Sequence, residues 1–185
     1  TQEFECRSCA DARSFVEEMS ALNVNIRLSV YDFIKDRARA DALGIDKIPA
    51  ISLGDAGGKD LGMRFFGIPG GYEINSFLGA LIEASGKREP LSPDVASRIA
   101  AISRDVHIQV CVSLTCPSCP GAVSLAHRLA LESGRVRADM VDAQLFPHLA
   151  QKYQVSGVPR IVINESNSLV GVQPLEKLLD VIEKL

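Results

Sequence analysis

The stretch Cys116-Pro117-Ser118-Cys119, followed downstream by Val158-Pro159-Arg160-Ile161, has a counterpart 110 positions earlier in Cys6-Arg7-Ser8-Cys9 and Ile48-Pro49-Ala50-Ile51. Pro49 follows Cys6 by 43 positions, and Pro159 follows Cys116 by the same 43. The chain has only 9 prolines in 185 residues, so two at matched places inside matched apolar strings mark a repeat. The same shift lays Asp32 on Asp142, Ser14 on Ser124 and Ala12 on Ala122. The sequence is a duplicated unit.

Each copy predicts the order βαβαββα, an α/β unit. In the second, Val106–Val112 is rich in Val and suits a strand, while residues 117–131 place Ala122, Leu125, Ala126 and Leu129 at helical spacing. A strand over 136–141, a helix over 146–153, a hairpin of 160–163 with 169–172, and a closing helix over 175–185 complete it. The first copy predicts helices over 11–22, 37–43 and 73–84, and strands over 26–33, 50–53 and 61–66, with a turn at Gly57-Gly58. Residues 86–90 are polar with breakers, which sets the units at 1–88 and 89–185. Ser92-Pro93-Asp94 supplies an N-cap, a first-position proline and a first-turn acid, so a helix over 93–102 opens the second unit. Its counterpart would precede Thr1, so the first unit is expected to lack its first helix and part of its first strand.

Composition removes several function classes. A formal charge of -3 with interspersed signs offers no basic field for nucleic acid. No stretch approaches the roughly 18 apolar residues of a membrane span, so no membrane is expected as a partner. The sequence starts at Thr1 without an initiator Met or the charged-then-apolar pattern of a signal peptide, and a cytoplasmic location is expected. Four of the five cysteines fall in tight pairs, which in a chain able to build its own cores points to redox or metal chemistry.

Thiol-disulfide exchange needs a thiolate attacker and a nearby second thiol to resolve the mixed disulfide. A Cys-x-x-Cys at a helix start provides both. Unpaired first-turn amides favour an anion there by about 0.3–1 kcal/mol, or roughly 2 when partly buried, against about 1.36 kcal/mol per pKa unit. Cys116 and Cys6 are therefore the expected attackers, Cys119 and Cys9 the resolving thiols. Pro117 pre-forms the turn beside Ser118, whereas Arg7 beside Ser8 sets a cation next to Cys6, opposed by Glu3 and Glu5. A zinc site built from the pairs, or a non-catalytic interaction module, is the competing reading of another class. Against zinc, each pair opens an amphipathic helix and is followed by the spaced proline. A purely structural disulfide is a further alternative, more so at Cys6/Cys9. Cys111 reads as a small buried hydrophobe. Asp32 and Asp142 read as loop caps, with proton transfer as the alternative. His107, His127 and His148 show no ligand spacing and read as surface or helix-face residues.

The segment Thr115-Cys116-Pro117-Ser118-Cys119-Pro120 with Val158-Pro159-Arg160-Ile161-Val162-Ile163 resembles the C-terminal unit of the glutaredoxin-like protein disulfide oxidoreductases of thermophilic archaea and bacteria. Tyr31-Asp32-Phe33 and Arg64-Phe65-Phe66-Gly67-Ile68-Pro69-Gly70-Gly71-Tyr72-Glu73 are similar to that family's N-terminal unit. The resemblance implies two tandem thioredoxin-like folds, three-layered with a central mixed sheet. It also implies cis peptide bonds at Ile48-Pro49 and Val158-Pro159, whose backbone would meet an extended substrate, and the C-terminal site as the dominant one. Protein disulfides or dithiols are then the substrates. No tightly bound cofactor is implied, with electrons reaching the dithiols from NADPH through a thioredoxin reductase-like flavoprotein. A variant of this reading is an electron shuttle between such a flavoprotein and a peroxiredoxin, resembling the tandem thioredoxin-like domain of bacterial peroxiredoxin-reducing flavoproteins. That domain keeps only its second Cys-x-x-Cys, and the intact first pair here weighs against the variant.

Overall fold

The structure is a computed structural model that describes residues 1–2 and 6–185. Glu3 and Glu5 lie outside the described residues. In the first repeat the described elements are α1 (Cys9–Ala21), α2 (Arg37–Ala42), β1 (Ala50–Gly54), β2 (Asp60–Phe66) and α3 (Ile74–Ala84), with a 3-10 turn over Gly71–Glu73. The second carries α4 (Pro93–Ala100), β3 (Val106–Val112), α5 (Cys119–Glu132), β4 (Val136–Asp142), α6 (Pro147–Lys152), β5 (Arg160–Ile163), β6 (Asn167–Val170) and α7 (Leu175–Ile182). Local chemistry sets several of these boundaries. Ser92 accepts the Val95 amide through its side chain at 3.3 Å and starts α4, as its place before Pro93 predicts. Asp55 accepts the Gly57 and Lys59 amides at 2.8 and 2.9 Å, which turns the chain between β1 and β2.

The strands form one mixed sheet in the order β1-β2-β4-β3-β5-β6. β3 runs parallel to β4 and antiparallel to β5, and β5 pairs antiparallel with β6. The register separates the two faces of the sheet, because strand side chains alternate. Ala138, Ile108 and Ile163 lie in one row and Met140, Val110 and Ile161 in the next, all buried and apolar. The opposite face carries Arg137 beside His107, then Asp139, Gln109 and Val162, then Val141, Cys111 and Arg160. There Tyr153 closes over Cys111 and Val162, and its hydroxyl accepts the Gln109 amide at 2.8 Å. Cys111 is thus a buried apolar residue, as the sequence indicates.

The repeat is visible bond by bond. Asp36 N–H donates to Asp32 O and Phe146 N–H to Asp142 O, both at 2.9 Å. The Ile34 and Gln144 amides donate to the Asp32 and Asp142 carboxylates at the same separation of 3.0 Å. Ile45 N–H donates to Ala40 O and Val155 N–H to Ala150 O, both at 2.8 Å. Both aspartates cap their loops.

One expected element does not form. Residues 26–33 are not a strand among the described residues, although they match β4. A strand needs a ladder, and theirs has one rung: Thr1 donates to Tyr31 O at 3.0 Å and accepts from Phe33 N–H at 2.8 Å. Thr1 thereby takes the place of Val112, which accepts the Ala143 amide at 3.0 Å, and this sequence holds no residues to match the rest of β3. Without a ladder the side chains stay half-open, and Leu28, Val30 and Tyr31 are all exposed.

By compactness the chain divides into Thr1–Ile51 with Phe65–Ile68, and Ser52–Arg64 with Pro69–Leu185, so the division falls inside β1 and β2. No helix among the described residues is long and apolar enough to cross a membrane. In the larger unit α5 packs on β3 and β4, and turns His127 inward. The ring bonds the Arg64 carbonyl at 3.1 Å, and burial pushes its pKa down to about 4. A histidine held neutral contributes stability above its unfolded pKa near 6.5, and that contribution is lost as pH falls through about 4. The cost of His127→Gln in denaturant unfolding is therefore expected to be greatest above pH 6.5 and to shrink by about 3 kcal/mol towards pH 4. A cost independent of pH would contradict this account.

Candidate active site

Both pairs are closed as disulfides, Cys6–Cys9 and Cys116–Cys119, with Cα separations of 5.4 and 5.5 Å. In each, the second cysteine is the first residue of a helix and is buried, whereas the leading one is half-buried and open on one side. A substrate disulfide can therefore meet Cys116 or Cys6 but not Cys119 or Cys9. Pro49 and Pro159 are buried and follow cis peptide bonds at Ile48-Pro49 and Val158-Pro159. At the second site Cys116 Sγ lies 3.9 Å from the Val158 carbonyl oxygen, so the dithiol and the residue before the proline do come together.

The caps show why these helix starts suit an anion. Ser8 and Ser118 occupy the N-cap positions of α1 and α5, yet neither side chain bonds the helix, unlike Ser92 at α4. The first-turn amides are therefore left unclaimed by the cap, in the direction where a thiolate would sit. The Ser118 hydroxyl instead lies 3.5 Å from Cys116 Sγ. Pro117 and Arg7 are exposed beside their leading cysteines. The flanks differ: Lys47 holds its ammonium 3.7 Å from the Phe66 ring centroid, where the second repeat has Gly157. Among the described residues no group of three or more His, Cys, Asp or Glu side chains converges as a metal site.

A further group emerges only in three dimensions. Glu73 is fully buried at the end of the 3-10 turn, which packs against α5. One carboxyl oxygen bonds the Ser76 hydroxyl; the other, Oε1, has no partner. Burial raises the pKa to about 7, opposed by the Ser76 bond, so the side chain exchanges its proton in the neutral range. The turn is fastened to the loop before Cys116 by Tyr72 N–H donating to Leu114 O at 2.9 Å. The motif Gly70-Gly71-Tyr72-Glu73 was legible in the sequence, but nothing local marks its carboxylate as buried.

The thioredoxin domain family matches residues 106–183. The structure of the alkylhydroperoxide reductase AhpF of Enterococcus faecalis superposes with a TM-score of 0.93 at 30% identity, covering 98% of this chain and 86% of that one. A protein disulfide oxidoreductase of Aeropyrum pernix superposes with a TM-score of 0.88 at 26% identity, over 98% of this chain and 81% of that one. The chain belongs to the thioredoxin-like disulfide oxidoreductases. Its fold is thioredoxin-like, and its chemistry is thiol-disulfide exchange. The corresponding alkyl hydroperoxide reductase of Pseudomonas aeruginosa is 30% identical over 135 residues, which is 73% of this oxidoreductase and 26% of that protein. The chain spans about a quarter of the length of the curated relatives it matches.

The raised Glu73 pKa carries a definite sign. A carboxyl whose folded pKa exceeds its unfolded value of 4.5 favours the fold below that value, and the advantage is lost as pH rises through about 7. Glu73→Gln should therefore gain stability relative to the parent between pH 4.5 and 8, by about 3 kcal/mol, in chemical unfolding of the oxidised protein. A difference that stays constant over that interval would show that Glu73 is already ionised in the fold.

Proposed function

We propose that the chain reduces and re-forms disulfides of protein substrates, with Cys116 as attacking sulfur and Cys119 as resolving sulfur. The observation that carries this reading is the half-open Cys116 beside the Val158 carbonyl, with Cys119 sealed at the first position of α5. The Cys116 thiolate attacks one sulfur of the substrate disulfide; a mixed disulfide forms and the first substrate thiolate leaves. Cys119 then gives up its proton to Glu73 and attacks Cys116 Sγ. The second substrate thiolate departs and takes a proton, and the Cys116–Cys119 disulfide remains. Two electrons have passed from the dithiol to the substrate. Pro159 and Val158 line the substrate's path at this site, and Pro49 and Ile48 do so at Cys6/Cys9, which serves as a second centre. Pro117 and Ser118, and Arg7 and Ser8, tune the two leading sulfurs. In evolutionary terms the repeats are 1–88 and 89–185.

The likeness to AhpF favours a particular electron route, a dithiol shuttle. Electrons come from NAD(P)H through a thioredoxin reductase-like flavoprotein, pass through the dithiols, and leave to a peroxiredoxin in the cytoplasm. The intact first pair allows a two-centre relay within the same route.

Reduction of insulin disulfides with dithiothreitol as electron source tests the site assignment. Cys116→Ser is expected to lower the rate at least about a hundredfold, and Cys6→Ser by less than about tenfold, in line with the loss of an essential nucleophile as against a secondary one. Full activity in Cys116→Ser would overturn the assignment. Coupled peroxide consumption with NAD(P)H, a flavoprotein reductase and a peroxiredoxin tests the route; insulin reduction without any coupled turnover would confine the chain to protein disulfides.

A further inference from the structure

Gly70 and Gly71 are neighbours with different surroundings. Gly70 is extended, with φ of -92° and ψ of -173°, and a Cβ there would meet nothing within 4 Å. Gly71 has φ of +54°, and a Cβ would overlap the Leu114 carbonyl oxygen while lying 3.1 Å from its carbon and 3.3 Å from Leu114 Cβ. The backbone of Gly71 thus lies directly on Leu114, and the next amide, Tyr72 N–H, donates to that same carbonyl at 2.9 Å. Only glycine tolerates both the left-handed conformation and the close approach.

Leu114 sits in the short link between β3 and Cys116. That link is a tight turn, closed by Cys116 N–H donating to Ser113 O at 2.9 Å and braced by the Ser113 and Thr115 hydroxyls, 3.0 Å apart. We propose that Gly71 is a positioning residue of the second dithiol: its backbone seats the Leu114 carbonyl, and through that turn it sets Cys116 against the amides of α5. The strap comes from the first repeat and completes the site of the second. Any side chain at residue 71 pushes Leu114 outward and moves the turn, which draws the Cys116 sulfur away from the helix start and from the Val158 carbonyl. A thiolate farther from those amides is less stabilised and less abundant at neutral pH. The inference rests on Cys116 as the attacking sulfur.

The test uses the full chain carrying Cys6→Ser and Cys9→Ser, so that one dithiol reports. After reduction, iodoacetamide alkylation at pH 7 is followed peptide by peptide, and the dithiol is equilibrated against a glutathione series. Gly71→Ala is expected to slow Cys116 alkylation about tenfold, as one unit of thiol pKa implies. It should also shift the equilibrium constant about tenfold toward the disulfide, which is about 30 mV. Gly70→Ala should match the parent in both readouts. A purely structural glycine would lower the melting temperature without moving either, so parental reactivity in folded Gly71→Ala overturns the proposal. Should that variant fail to fold, hydrogen exchange in the parent decides. Protection of the Tyr72 amide comparable with that of β3 supports the clamp, and exchange at the rate of an open loop overturns it. Loss of the underlying reading is separately visible, because Cys116→Ser would then retain insulin reduction.

Discussion

Everything in this protein's chemistry depends on splitting a cysteine pair across the start of a helix, so that one sulfur is open and the other sealed. Cys119 at 0% exposure and Cys9 at 2% are the first residues of α5 and α1, and their partners, three positions earlier, remain half-buried. Such a split needs a helix that begins at the second cysteine and a turn that holds the first one clear of it. The sequence meets the first need with serine caps that do not cap: their side chains leave the helix amides to whatever anion forms beside them. β3 meets the second by ending at Val112, and the following turn closes from Ser113 to Cys116.

The same design appears twice, but the copies are supported unequally. Hydrogen bonds around Asp32 and Asp142 agree in partner and length, which shows how strongly short-range sequence dictates the loop and helix after each inner segment. What differs is the ladder beneath them. β4 lies beside β3 along seven paired residues, whereas the matching segment of the first repeat meets only Thr1. Apolar side chains that a ladder would align for burial stay open, including Val24 at 96% and Ile34 at 65% exposure. The second dithiol is thus mounted on a fully hydrogen-bonded strand, and geometric constancy at Cys116 follows from that support.

Features set by local chemistry were legible in the sequence, and those set by distant packing were not. The Cys-x-x-Cys pairs, the matched prolines, the Ser92 cap and the turn at Gly57-Gly58 each rest on residues within a few positions of one another, and the structure contains them all. Residues 26–33 carry a strand's composition, but composition does not supply a neighbour. Glu73 is the opposite case. Its motif was visible, yet its burial arises from the packing of the 3-10 turn on α5, and its unpartnered oxygen exists only in that packing. His127 shows the same limit, since helical spacing marks a face without saying that the Arg64 carbonyl will meet it.

Those last two residues also bear on how the second dithiol behaves. Glu73 and His127 pack against α5 near its start and two turns along it, and burial moves their pKa values in opposite directions, to about 7 and about 4. Between those values the carboxyl is predominantly protonated and the imidazole neutral, so neither places a charge on the helix that carries Cys119. A Cys116 thiolate then answers mainly to the helix amides and its own solvent exposure. As pH rises through 7, Glu73 ionises inside a low-dielectric environment, where an anion opposes a nearby thiolate far more than it would in water. It also becomes a base able to take a proton from a buried thiol. The two effects act on different sulfurs: one holds back the open thiolate, the other releases the sealed one. The balance between attack by Cys116 and resolution by Cys119 therefore shifts with pH near neutrality, set by a carboxyl that the first repeat supplies to the second.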